Sequence, residues 1–108
     1  MKILVAIKQV AARDSQLQVA PDAKWIDESN LEFEINEPDA YALEEALQLR
    51  DAHGGEVVAL CAGPERATST IREALAKGAD RAIHVEVDDI ESWDALSVAK
   101  ILAAAAQS

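Results

Sequence analysis

Asparagine, proline and aspartate crowd into the four residues Asn36, Glu37, Pro38 and Asp39, just ahead of a stretch with helical spacing of apolar side chains. An asparagine side chain can accept from the free N–H groups of a first helical turn. Proline at that turn gives up an N–H that has no partner in any case, and an aspartate three residues on can return a bond to the capping residue. A helix amino terminus also presents aimed N–H groups and a partial positive charge, which suit a phosphate or another anion. The same kind of chemistry recurs at Ala62, Gly63, Pro64 and Glu65, where glycine and proline lead from an apolar run into a second helical pattern. Capping alone, worth roughly 1 kcal/mol to any helix, accounts for the first stretch. Strand-to-helix punctuation accounts for the second, and an anion contact is the alternative reading of both.

Other reactive side chains are scattered. His53 stands at a helix end beside Gly54, where an imidazolium complements the helix dipole, and His84 and Cys61 fall on two different strands. Their spacing matches no metal-ligand pattern, so no metal site is expected. Cys61 lies in a continuous apolar run with no base in prospect, which makes it a small core residue and not a nucleophile. Trp25 and Trp93 read as packing or interface residues, and Asp88, Asp89 and Glu91 as a solvated loop. Neither a GxGxxG fingerprint nor a P-loop occurs, which argues against the two commonest phosphate motifs. No catalytic acid, base or nucleophile can be assigned.

The chain that must position these residues has 108 of them, half hydrophobic, enough for one domain with a real core. Ten Lys and Arg against twenty Asp and Glu give a net charge of −10. Such a surface repels a phosphate backbone and an anionic bilayer, so nucleic acid is not an expected partner. A lone cysteine and the lack of any apolar run of spanning length point to a reducing, cytoplasmic setting with no membrane span. The opening MKILVAIKQV has no small-residue cleavage site after it and reads as a buried strand.

Ile3 to Ile7 are aliphatic without clean alternation, the pattern of a strand covered on both faces, and a central place in the sheet is expected for it. Leu31, Phe33 and Ile35 alternate with Glu32 and Glu34 after a turn at Ser29 and Asn30, as in one half of a hairpin outside the main sheet. A helix from Pro38 puts Leu43, Ala46 and Leu47 on one face and ends at Gly54 and Gly55. EVVALCAG is a second continuous strand. Pro64 opens a second helix that closes at Gly78, and DRAIHVEV is a third strand. Residues 94–106 form a last helix, apolar on nearly every side, and it ends at Ser108 with no strand after it. Strands alternating with helices over these connections predict an α/β fold: a three-layer sandwich around a mostly parallel open sheet, Rossmann-like, with right-handed crossovers. Ligands of such sheets sit beyond the carboxyl ends of the strands. Three stretches arrive at that edge: the loop after Val10, the turn at Asn36 to Asp39, and Cys61 to Glu65.

Three segments together carry a family resemblance. MKILVAIKQV, INEPDAYALEEALQLRDAHGGEV and GPERATSTIREALAKGADRAIHVEVDD are similar, in order and spacing, to the amino-terminal part of the electron transfer flavoprotein β subunit. The resemblance implies that residues 1–108 are the amino-terminal part of that subunit's nucleotide-binding domain. It further implies a heterodimer with an α subunit that shares FAD, and a buried AMP, or a second FAD, in the β subunit. Electrons would come from acyl-CoA or related dehydrogenases and pass to a quinone oxidoreductase or another acceptor. Carried over by position, the nucleotide contacts fall on Ala6, on Asn36, Glu37, Pro38 and Asp39, and on Ala62. The turn departs from the family's usual Asn-Pro-aromatic-Asp or Asn-Pro-aromatic-Cys, having Glu37 after the asparagine and no aromatic. The family's Gly-rich phosphate loop and its approach to the flavin ring have no counterpart in these residues, so a fragment, or a subunit completed by another chain, is expected. The alternative is an adenine-nucleotide-binding module like a universal stress protein, without redox chemistry.

Overall fold

The computed structural model describes residues 1–13, 15–29 and 31–107, so that Asn30 and Ser108, which enter the reading above, lie outside the described residues. In chain order the elements are β1 (Lys2–Ile7), β2 (Gln9–Ala11), β3 (Phe33–Ile35), α1 (Glu37–His53), β4 (Glu56–Gly63), α2 (Thr68–Lys77), β5 (Arg81–Glu86) and α3 (Ala95–Gln107). Single 3-10 turns at Glu65–Ala67 and Ile90–Ser92 precede α2 and α3. The second helix therefore begins at Thr68, and Pro64 caps the 3-10 turn in front of it.

β1, β4 and β5 form a parallel sheet in the order β1-β4-β5, with Ile7 opposite Cys61 and Cys61 opposite His84. Among the described residues β4 is the middle strand and β1 stands at the edge, whereas its aliphatic run predicts a central place. Burial gives the reason. Every residue from Val57 to Cys61 is buried, whereas in β1 Val5 and Ile7 are buried while Leu4 and Ala6 are exposed. An apolar run in which leucine and alanine face outward cannot be told from a doubly covered strand by composition.

Two layers of helix flank the sheet. Val5, Ile7, Val57, Ala59 and Cys61 pack against Leu43, Ala46 and Leu47 of α1 and Ile71 and Ala74 of α2 in one core. α3 lies against β4 and β5, and Val58 and Leu60, buried but outside that core, belong to the opposite face of β4. None of the α3 residues is fully buried, and Leu96 is 64% exposed, so this helix has only part of its apolar surface covered.

The chain leaves the sheet at Lys8. β2 turns away to pair with β3 antiparallel, Gln9 opposite Ile35 and Ala11 opposite Phe33, so residues 33–35 lie outside the main sheet as expected, but their partner is the segment that follows Lys8 and not the one just before Ser29. The long loop between them is held to the body by Arg66. Its guanidinium bonds Glu28 at 3.2 Å and the Gln9 side-chain oxygen at 2.6 Å, and it lies 4.1 Å from the centre of the Phe33 ring.

Candidate functional site at the sheet rim

β1 ends where α1 begins, and Lys8 joins them. Its carbonyl oxygen accepts from the N–H of Asn36 at 2.9 Å, and its own N–H donates to the Asp39 carboxylate at 2.9 Å. A residue between two sheets has no ladder partner, and these two bonds supply one for each backbone group. The Asp39 carboxylate is thus engaged with Lys8 and does not return a bond to the N–H of Asn36. Asn36 occupies the cap position through its backbone alone, its carbonyl accepting from Asp39 and Ala40, and its side chain makes no capping bond. The capping box expected from the residue types does not form, because the nearest unsatisfied donor belongs to another segment of chain.

Next to this junction is a cleft of about 540 Å³, inside the range of about 300–1,000 Å³ usual for small-molecule sites. Lys8, Gln9, Ala62 and Pro64 line one side, and Trp93, Val98 and Leu102, on and before α3, line the other. Trp25 from the long loop and Arg66 contribute to the wall as well. The lining is mostly apolar, with the polar ends of Lys8, Gln9, Arg66 and Asp94 among it. Gln9 is fully occupied: its amide nitrogen lies 3.0 Å from the Arg66 carbonyl oxygen and 3.0 Å from the Thr70 hydroxyl, so it fixes the 3-10 turn to β2. The imidazole of His84 stands 2.9 Å from the Gly63 carbonyl, which also accepts from Val87. A carbonyl only accepts, so Nε2 of His84 carries the proton, and Gly63 is held from two sides.

The residues singled out from sequence fall as follows. Ala62 lines the cleft, and Asn36 to Asp39 meet it through Lys8. Ala6 is opposite Leu60 and exposed. It borders a separate shallow groove with Leu4, Ala42 and Leu49, and is not part of the cleft wall. Glu37 is turned to Arg13, with which it pairs at 2.8 Å, and Pro38 is exposed. Sequence reasoning missed Lys8, Gln9, Arg66 and the lining of the cleft by α3. One signal was present, a lysine interrupting an aliphatic run at the end of a strand.

Cys61 is at the same level of the sheet but on the core face. Burial, with a smaller contribution from the Asp39 charge, pushes its thiol up to about 11. A thiol so protonated is no nucleophile at neutral pH. Among the described residues no group of three or more His, Cys, Asp or Glu side chains is placed to hold a metal ion, and no helix is long and apolar enough to cross a membrane.

An adenine nucleotide needs an apolar slot for the base and polar partners for ribose and phosphate. Among the described residues the Asn36 amide has no hydrogen-bond partner and the Lys8 ammonium no carboxylate partner. Both stand at the rim with unused hydrogen-bonding capacity, and the residues present fit such a ligand.

The electron transfer flavoprotein domain matches this chain over residues 24–108. The chain belongs to the electron transfer flavoprotein family. It is 41% identical over 104 residues to the electron transfer flavoprotein subunit beta of Methylophilus methylotrophus, covering 94% of this chain and 39% of that protein. With the mitochondrial subunit beta of Arabidopsis thaliana it shares 42% over 103 residues, covering 94% of this chain and 40% of the relative. Protein FixA of Sinorhizobium fredii is 48% identical over 83 residues, 77% of this chain and 29% of FixA. This electron transfer flavoprotein chain thus spans about two fifths of the length of the subunit beta relatives it matches, and less of FixA.

Proposed function

We propose that residues 1–108 are the amino-terminal part of an electron transfer flavoprotein β subunit's nucleotide-binding domain, and that the rim contributes part of an adenine-nucleotide site. In this reading the polypeptide pairs with an α subunit, holds AMP or a second FAD, and shares in binding the FAD that moves electrons. Those electrons pass from acyl-CoA or related dehydrogenases to a quinone oxidoreductase or another acceptor, in the cytoplasm. The observation that carries the reading is the junction of β1 and α1 at Lys8, which brings the Asn36 turn beside the cleft wall at Ala62.

The flavin, when bound, supplies the redox chemistry, and the protein supplies position and electrostatics. For this chain that division leaves specific tasks. The Asp39 carboxylate and the Asn36 N–H fix the Lys8 backbone, so the end of β1 and the start of α1 cannot separate without losing two hydrogen bonds. Gly63, held by His84 and Val87, fixes the end of β4, which carries Ala62. Trp93, Val98 and Leu102 keep water from one side of the cleft. The Asn36 amide is free to bond a base or ribose. No proton moves in these steps, and no side chain of the rim is asked to act as acid or base.

The test is to express the natural reading frame that contains this chain together with its genomic neighbour. The purified material should show flavin absorbance, and acid should release adenine nucleotide in stoichiometric amount. Preparations without flavin at every stage refute the redox reading. Tight ATP binding by such material would favour a nucleotide-binding module of the universal stress protein kind.

A further inference from the structure

We propose that residues 18–28 form a flap along one side of the cleft, latched to the body by the Glu28 carboxylate and released as a unit when that latch opens. The inference goes beyond the function proposed above and does not depend on which ligand the cleft receives.

The segment is folded in itself. Val19 and Ile26 face each other as an antiparallel bridge, the Ala20 N–H donates to the Trp25 carbonyl at 2.7 Å, and the Asp27 N–H donates to the Gln18 carbonyl at 2.6 Å. A tight turn closes it, with the Ala23 N–H on the Ala20 carbonyl at 2.8 Å and Ala23 at φ +58°. Yet it has no core of its own: none of its residues is buried, and Val19 and Trp25 are exposed. A unit with internal backbone bonds and little buried apolar surface opens at low cost while the sheet stays folded.

Among the described residues its bond to the body runs through Glu28. One carboxylate oxygen accepts from the Trp25 indole N–H at 2.6 Å and the other from the Arg66 guanidinium at 3.2 Å. The first bond positions the indole, which lines the cleft, and the second ties the flap to the turn before α2. Arg66 is anchored without the flap, by the Gln9 side-chain oxygen at 2.6 Å and the Phe33 ring at 4.1 Å, while Gln9 reaches the buried Thr70 hydroxyl. The guanidinium therefore keeps its place when Glu28 lets go. Under the flap is a second cavity of about 390 Å³, lined by Asp27 and Glu28 from the flap and by Asp88 and Glu91 from the connection to α3. Among the described residues Arg66 is the only cation lining it. Four carboxylates around one gap repel one another and work against closure. The flap is held down by this charge pair, not by apolar packing.

The test is hydrogen exchange read by mass spectrometry on the natural full-length polypeptide carrying this chain, co-expressed with its genomic neighbour. Glu28→Ala should speed exchange of the amides in residues 18–28 about tenfold while those of Ala59 to Cys61 in β4 stay within about twofold. Glu28→Gln, with one acceptor oxygen for two donors, should fall between, and it carries the comparison if Glu28→Ala does not fold. A thiol set in the far wall of the cleft by Val98→Cys should take up maleimide faster when Glu28 is replaced, the label being located by peptide mapping. Equal acceleration in residues 18–28 and in β4 would make Glu28 a general staple of the fold and overturns the flap. Unchanged exchange in residues 18–28 overturns the latch, and faster exchange without faster labelling at position 98 overturns its control of the cleft.

Discussion

The backbone N–H of Lys8 is bonded to the side chain of Asp39, 31 residues further along the chain, at 2.9 Å. This contact ties the end of the edge strand to the first turn of the longest helix, and the candidate site is built around it. An N–H to an ionised carboxylate is among the stronger hydrogen bonds, and losing it leaves a donor at a strand end without its partner.

Asp39→Ala should therefore destabilise the fold by about 1–3 kcal/mol, whereas Asp39→Asn keeps an acceptor and should cost less than half as much. Urea unfolding followed by circular dichroism measures both. If the two variants are equally stable, the carboxylate is not holding the strand.

Cys61 gives a pH signature. Its thiol is raised from an ordinary 9.0 to about 11 in the folded chain, so the native state holds the proton more tightly than the unfolded one. The stabilisation is complete below pH 9 and is lost as pH rises from about 9 to about 11, by roughly 2–3 kcal/mol. Cys61→Ala should flatten that part of the stability profile. In native buffer at pH 8, a thiol reagent should label Cys61 only as fast as the protein opens.

The opposite rim of the sheet carries an acid-side counterpart. Asp80 accepts from the Val57 N–H at 2.8 Å and from Arg50 at 3.0 Å, and both hold its carboxyl below the usual 3.8. A depressed carboxyl contributes stability above its unfolded value and loses it as pH falls below 3.8 through the folded value. Melting temperatures of Asp80→Asn and the parent should therefore converge as the pH is taken from 6 to 3. A constant gap across that range would rule the linkage out.

Gly54 and Gly55 end α1 side by side but are not equivalent. A Cβ on Gly55 would stand 1.9 Å from the Met1 carbonyl oxygen, at φ +110°, while one on Gly54, at φ +78°, meets nothing within 4 Å. Gly55→Ala should cost roughly 2–4 kcal/mol and Gly54→Ala only about 1 kcal/mol. Thermal unfolding of the pair tests the difference.

Both tryptophans of the chain, Trp25 and Trp93, line the cleft. If nucleotide occupies it, AMP should change the intrinsic emission in a saturable way, and Trp93→Phe should remove a large part of the change. Emission that does not respond while binding is seen by calorimetry would move the ligand elsewhere.

Much of the architecture is legible in the residues. Pro38, Gly54, Pro64 and Gly78 mark the ends of helical patterns, and the aliphatic runs at residues 3–7 and 57–61 become parallel neighbours. The strand of Phe33 to Ile35 shows in its alternation with Glu32 and Glu34. The site is legible only in outline. Asn36, Asp39 and Ala62 can be placed on one rim from strand order alone, yet Lys8, Gln9 and the α3 wall do not stand out, because their roles depend on which segments meet in space.

What the sequence by itself determined is the succession of strands and helices, since apolar spacing and capping residues act over a few neighbouring positions. Tertiary structure decided that β4 lies between β1 and β5 among the described residues, that the chain leaves its first strand at Lys8, and that the Asp39 carboxylate bonds the Lys8 backbone instead of its own helix cap. The physical reason is the same in each case. An apolar run does not record which of its faces will be covered, and a carboxylate bonds the unsatisfied donor that folding brings closest, however far away that donor is along the chain.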